Sequence, residues 1–545
     1  MTETEPGASG EMLATLLRPL SWIVPVLTYL AMMVVRDLYV VEGINPDFIS
    51  YYQNATHWLA GNTGLAVSGY WGVMYSWIMA VALLVTRDPM TVGWGVLGFT
   101  GLCLILAGEI YLRIVGVRPR YRLLAGIALA LFSAYWASNQ LTPDLLLGSF
   151  VVFGGGLYIL ALRRHSIAMA ILAGLVLGVA YLCKTPGLLF AFGIIVGFAI
   201  MVLVTRERGL GAVLKIALPA LLAMAVVAGP WILVLSNHYG HFTWTTAIER
   251  NQGQAIGIEH PNFTEFHKPR DGRITSWEDP SEFGGTGGMI APEKKPGLVS
   301  VLAENVLYAH GVLTSGGWFL LTVGALFALL FHGPGGPRLL AEPWRFGIFG
   351  AAIVLLPYMV SYAAQERYYM AAYPFLLGAT FGAVQWGEKA GLLSWRLFGF
   401  LPAWLPRLLL TLVVAVFLWA PELIRAREIG TRPDGAPAHG AYRQSASLAR
   451  ALDGIGAEGP YAEIGNVNRL SLNAAFATGR QFYGAELDAD HLDRARALGV
   501  GVLIVDPAFA GRVAADPAWR EVSGQLPEPL LAIPAGHARI FVPAG

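Results

Sequence analysis

Between residues 16 and 420 the sequence runs through eleven apolar segments, near 16–35, 90–112, 123–138, 145–162, 167–183, 186–204, 216–237, 314–331, 347–364, 369–387 and 407–420. Each is close to the roughly 20 apolar residues that a helix needs to cross a bilayer. Only 13% of the 545 residues are charged and 55% are hydrophobic, against about 25% charged residues in a soluble protein. That deficit excludes a water-facing surface, and with it an ordinary soluble enzyme. A formal net charge of +1 leaves no basic footprint for nucleic acid. Two cysteines, Cys103 and Cys183, sit in or beside apolar runs and read as buried free thiols, not as a disulfide framework or a metal site. The expected fold class is a polytopic α-helical membrane protein. Met1–Gly10 carries no Lys or Arg, so the first apolar run is expected to stay as a span and not to be cleaved as a signal peptide.

The run 71–86 is short and aromatic, and its Trp and Tyr residues suit a helix lying at the membrane interface. Charge supports leaving it out of the span count. With 71–86 not crossing, Arg113, Arg118, Arg120 and Arg122, then Arg163 and Arg164, then Arg206, Arg208 and Lys215, then Arg338 and Arg345, then Lys389, Arg396 and Arg407 all fall on one side. That is the side expected to face the cytoplasm. The opposite face receives a first loop, 36–89, a second polar loop, 238–298, and a tail from about 421 to 545. Strand-like and helical stretches interleave in the tail (Ser445–Ile455, Pro460–Ile464, Leu487–Leu498, Val500–Val505 and Arg539–Val542), so a small α/β domain is expected there. The division is then a membrane domain over 1–420 and an extracytoplasmic domain over 421–545.

Charge is scarce on the outer segments, and charge beside an apolar slab marks either a site or a paired structural contact. Asp47 follows Asn45-Pro46, where it reads either as a general base or as a first-turn carboxylate facing the helix dipole. Asp144, in Thr142-Pro143-Asp144, reads as a site residue or as part of a helix start capped by Thr142. Lys184 follows the fifth span and could snorkel to the interface. Glu366-Arg367-Tyr368-Tyr369 joins the ninth and tenth spans, where the adjacent acid and base could be solvated. Together they place two carboxylates, a Lys and an Arg at one membrane face, an arrangement suited to a lipid phosphate with a reactive carbon attached.

These stretches carry a resemblance. Asn45-Pro46-Asp47 with its following helix, Leu141–Phe150, Gly178–Gly187, Gly229-Pro230-Trp231, and Glu366-Arg367-Tyr368 with Pro374 beyond are similar, in order and in sidedness, to the GT-C superfamily of integral-membrane glycosyltransferases. The branch resembled is that of protein O-mannosyltransferases and lipid A aminoarabinose transferases, over roughly residues 16–420. The resemblance implies an inverting transferase that takes a sugar from a polyprenyl phosphate and passes it to an envelope lipid, glycan or protein at the outer face of a bacterial cytoplasmic membrane. It assigns Asp47 as general base. Asp144 orients the acceptor, holds a cation or neutralises a lysine. Lys184 and Arg367 become phosphate contacts, with Arg87, Glu366, Tyr51 and Tyr368 as further substrate contacts. A departing phosphate needs cations, not a general acid, whereas the acceptor must lose a proton.

No cofactor is required by this inventory. His238 and His241, near His260, His267, Glu249, Glu259, Glu265 and Asp271, are the weak candidates for a divalent metal ion. The 238–298 loop is otherwise expected to cover the reaction cleft, with Trp244, Trp277 and Phe263 against sugar or lipid. Asn54-Ala-Thr56 and Asn262-Phe-Thr264 match the glycosylation pattern by chance. A lipid-linked oligosaccharide polymerase or ligase shares the donor and the topology. A secondary transporter predicts internal repeats and mid-span charges, and the sequence has neither.

Overall fold

The computed structural model describes residues 8–39, 44–139, 141–248, 265–282, 298–315, 339–359, 365–389 and 442–544, with a few isolated positions between 316 and 424. Two compact units are present. One comprises Met1–Leu38, Leu97–Val234 and Pro296–Ile429, the other Tyr39–Val96, Leu235–Lys295 and Gly430–Gly545.

The first unit is helical. Nine of the expected spans coincide with described helices, at Ala8–Tyr39, Pro89–Ile114, Pro119–Asn139, Asp144–Arg164, Ile167–Cys183, Pro186–Val204, Leu210–Tyr239, Phe346–Met359 and Ala372–Lys389. The expected spans at 314–331 and 407–420 fall largely outside the described residues. Among the described residues, five helices are long and apolar enough to cross a membrane by themselves. Burial shows which solvent they face. Leu20, Ile23, Leu27, Leu30 and Val34 are all exposed, in the 3–4 spacing that puts them on one helix face. Leu214, Leu218, Leu222 and Val226 form a second exposed stripe. Apolar stripes of this length are covered by hydrocarbon and not by water, so this is a multi-pass membrane protein. Inside the bundle, close approach depends on small residues. A Cβ at Gly174 would stand 2.1 Å from the Ala220 carbonyl oxygen, so the Ile167–Cys183 and Leu210–Tyr239 helices meet backbone to backbone there.

The loops grouped by charge gather at one end of this unit. Arg113 and Arg122 share the buried Glu109 carboxylate at 3.0 and 2.9 Å, and Ser21 donates to it at 2.9 Å. Arg118 and Arg120 both pair with Glu388. Arg163 donates to the Ile114 and Leu340 carbonyls, and Glu207 accepts from the Leu339 and Leu340 amides. The loops after the second, fourth, sixth, eighth and tenth apolar segments are therefore neighbours.

In the second unit, the helix Pro46–Leu59 opens on Asn45, whose side-chain oxygen accepts from the Phe48 amide at 2.7 Å. Helix Val73–Leu83 has 11 residues. At about 1.5 Å per residue it is roughly half of what a span needs, which agrees with an interfacial, non-crossing segment. The tail forms a five-stranded sheet in the order β2-β1-β3-β7-β4. β1 (Tyr461–Ile464), β2 (Phe482–Glu486) and β3 (Val502–Val505) are parallel, and β7 (Arg539–Pro543) runs antiparallel to β3 and to β4 (Trp519–Glu521). A short hairpin joins β5 (Ala532–Ile533) and β6 (Gly536–His537). Helices Leu470–Thr478 and Leu492–Leu498 make the parallel crossovers. The second polar loop belongs to this unit: the His267 amide donates to the Tyr483 carbonyl at 2.9 Å and the Phe482 amide to the Ile274 carbonyl at 2.7 Å. His267 is buried against this edge, and desolvation pulls its imidazole down to about 4.

Candidate active site

Asp144 stands at the first position of Asp144–Arg164, and Lys184 ends Ile167–Cys183 as its C-cap. Both therefore lie at the end of the bundle opposite Arg163, since 21 residues of helix span about 31 Å. The Lys184 ammonium donates to Asp144 Oδ1 at 2.6 Å, and the carboxylate is only 3% exposed. Lys184 is thus ion-paired in the protein, and the snorkelling alternative does not hold. Thr142 does not cap the helix as the spacing suggested. Pro143 occupies the cap position without a side-chain bond, and the Thr142 hydroxyl donates to Asp144 Oδ2 at 2.7 Å. The local sequence builds a held carboxylate instead of a cap.

Glu366–Tyr369 forms a single 3-10 turn that brings Arg367 to the same place. Lys184 Nζ lies 4.4 Å and Arg367 Cζ 5.2 Å from the centroid of the Tyr368 ring, so one aromatic ring holds two cations. Arg367 also acts electrostatically on Asp144. Tyr368 stacks on Tyr358 at 5.0 Å with 16° between planes. The Tyr358 hydroxyl is buried with no hydrogen-bond partner among the described residues. No motif in the sequence marked Tyr358, since a tyrosine on an apolar helix reads as core. Lys184, Arg367 and the buried Asp144 carboxylate thus meet around Tyr368 at this end of the bundle. Clustered cations of this kind can hold an anion and stabilise charge developing on it.

Asp47, Tyr51 and Arg87 lie in the second unit. Asp47 is in the first turn of Pro46–Leu59, and Oδ1 accepts from the Trp277 indole N–H at 3.2 Å. Trp277 is 5% exposed and packs against Trp71 and Tyr70, so its ring is not displayed for sugar stacking. Its segment is fixed by a capping box between Thr275 and Glu278, and Glu278 pairs with His57 at 3.1 Å in a fully buried contact. Thr-x-x-Glu is a readable signature, although its target was not. Tyr51 is buried between Trp71 and Tyr75. The Arg87 backbone carbonyl accepts from Tyr52 at 2.7 Å. Asn54 of the glycosylation-type triplet is buried and donates to the Glu278 carbonyl at 3.3 Å; Asn262 and Phe263 lie outside the described residues.

His238 packs edge-on against Tyr239, and His241 contacts the Thr243 hydroxyl at 3.0 Å. Neither belongs to a metal-type group among the described residues. The group with that geometry is Glu486, Asp488 and His491 at the end of β2, with ligand atoms within 4.8 Å of one another. Cys103 and Cys183 are free thiols.

No family model and no curated protein matches the sequence. Solved structures do. ArnT from Cupriavidus metallidurans bound to undecaprenyl phosphate is 14% identical and aligns with a TM-score of 0.57 over 95% of this chain and 97% of its own. Its apo form gives 15% and 0.54 over the same shares. The apo oligosaccharyltransferase of Archaeoglobus fulgidus gives 13% and 0.51 over 89% of this chain and 69% of its own. The chain therefore shares its overall fold with ArnT and with this oligosaccharyltransferase, and carries a small α/β domain at its C-terminal end.

Proposed function

We propose that this chain is an inverting glycosyltransferase that moves a sugar from a polyprenyl-phosphate donor to an acceptor at the outer face of a bacterial cytoplasmic membrane. The observation that carries the reading is the Asp144–Lys184–Arg367–Tyr368 cluster at one end of a membrane bundle. A similar fold is known with undecaprenyl phosphate bound, in ArnT. Lys184 and Arg367 take the lipid phosphate and stabilise the charge it acquires as the glycosidic C–O bond breaks. Asp144, held by Thr142, fixes the lysine. Asp47 accepts the acceptor's proton as its oxygen attacks the anomeric carbon from the face opposite the phosphate, so configuration inverts. The site and the C-terminal domain face outside, because the arginine-rich end faces the cytoplasm. No metal is needed for this chemistry, although Glu486, Asp488 and His491 could bind one. The test is turnover. Purified full-length protein, given a panel of undecaprenyl-phosphate-linked hexoses and pentoses and a cell-envelope extract as acceptor, should liberate undecaprenyl phosphate from at least one donor. Failure on every donor would overturn the reading.

A further inference from the structure

The indole of Trp277 is tied down more heavily than a lid residue requires. Its carbonyl oxygen accepts from Ser50 at 2.8 Å and from the Trp71 indole at 2.9 Å. The residue on its C-terminal side, Glu278, is fully buried and accepts the Ile274 and Thr275 amides at 2.7 and 3.1 Å as well as contacting His57. Asp279, next along, takes hydrogen bonds from Ser68 and Tyr239. The other side of the segment is carried by the tail: β2 receives it through the Phe482–Ile274 and His267–Tyr483 backbone bonds, Gln481 donates to the Arg273 carbonyl at 3.1 Å, and His267 contacts the Ser276 hydroxyl at 2.8 Å. From this scaffold the indole N–H is directed at Asp47 Oδ1.

We propose that Trp277 is a positioning residue for the Asp47 carboxylate, and that the C-terminal domain serves to hold the segment that aims it. This rests on the reading of Asp47 as the base. An indole N–H is a donor only, so it binds a lone pair of the Asp47 carboxylate and fixes the orientation of that group. The tail thus acts on catalysis without touching substrate, through an edge strand that the 265–274 stretch extends.

Trp277→Phe keeps the ring packing and deletes the N–H. In full-length protein, with the undecaprenyl-phosphate sugar that the wild type turns over, kcat should fall about 10–100-fold. KM for the donor and the thermal midpoint should be unchanged. Gln481→Ala, remote from the reaction, should lower kcat by less, again at unchanged KM. An unchanged kcat would overturn the proposal, as would a loss of activity that only follows a lowered thermal midpoint. The general-base reading fails separately, if Asp47→Asn turns over normally or the wild type turns over none of the donors; either result removes this inference with it.

Discussion

Asp144 is a carboxylate almost without solvent, and its stability is set by the ammonium 2.6 Å away. Removing one partner of such a buried pair typically costs about 3–5 kcal/mol, because the remaining charge is left uncompensated. Lys184→Ala should therefore lower the thermal midpoint. The double variant Lys184→Ala with Asp144→Ala should recover most of that loss while remaining inactive. If the double variant is no more stable than the single, the pair is not coupled as described. This contact was only half legible in the sequence. The residue types and their shared face were evident, but the partners are 40 positions apart and Thr142 read only as a cap. Local spacing favoured the cap, whereas the fold gives Thr142 a buried carboxylate to satisfy. Trp277 was legible as part of the outer loop and illegible as a donor to Asp47, because 230 positions separate them and aromatic residues in such loops read equally well as ligand contacts.

The elements themselves follow from periodicity and length. Nine of the eleven apolar runs coincide with described helices, although the first helix begins at Ala8, eight residues before its run, and the seventh at Leu210, six before; the 11-residue Val73–Leu83 helix is too short to cross. In the tail, the helix Tyr442–Gly454 and strands β1, β3 and β7 were visible as patterns. β2 and the helix before it were not, since Phe482-Tyr-Gly-Ala-Glu486 is a brief, fully buried strand with glycine at its centre. The element with a titration of its own is β1. Glu463 is buried in its middle, and desolvation raises its carboxyl from 4.5 to about 7. The folded state thus binds the proton more tightly than the unfolded chain does. Its favourable contribution is complete below about pH 4.5 and is lost as pH rises through about 7. A shift of this size is worth on the order of 3 kcal/mol. Glu463→Gln should flatten the fall in thermal midpoint between pH 5 and 8 and raise the midpoint at pH 8. An unchanged slope would show that Glu463 is not the titrating group.

At the scale of the whole molecule, the grouping of the arginine-bearing loops was the most readable property. The arginine-bearing loops meet one another through Glu109, Glu388 and Glu207, and one helix length separates them from Asp144. The positive-inside rule predicts that Gly545 lies outside the cytoplasm. A C-terminal epitope tag in intact bacterial spheroplasts should be accessible to antibody and protease, and protection of the tag would reverse the topology. Less readable was the organisation of the outer segments. The first loop, the second loop and the tail were distinct stretches in the sequence, and they form one compact unit because β-edge hydrogen bonding and aromatic packing recruit them together. Phe476 of the tail packs against Phe48 and Tyr52 of the Asp47 helix. No local pattern announces contacts between side chains more than 400 residues apart.

The most direct test of the central claim is single-turnover sugar transfer by Asp47→Asn, measured beside wild type with donor binding followed on the same samples. Loss of the acceptor's base predicts that the variant binds the undecaprenyl-phosphate sugar as wild type does and releases no undecaprenyl phosphate. Near-normal release by Asp47→Asn would contradict it.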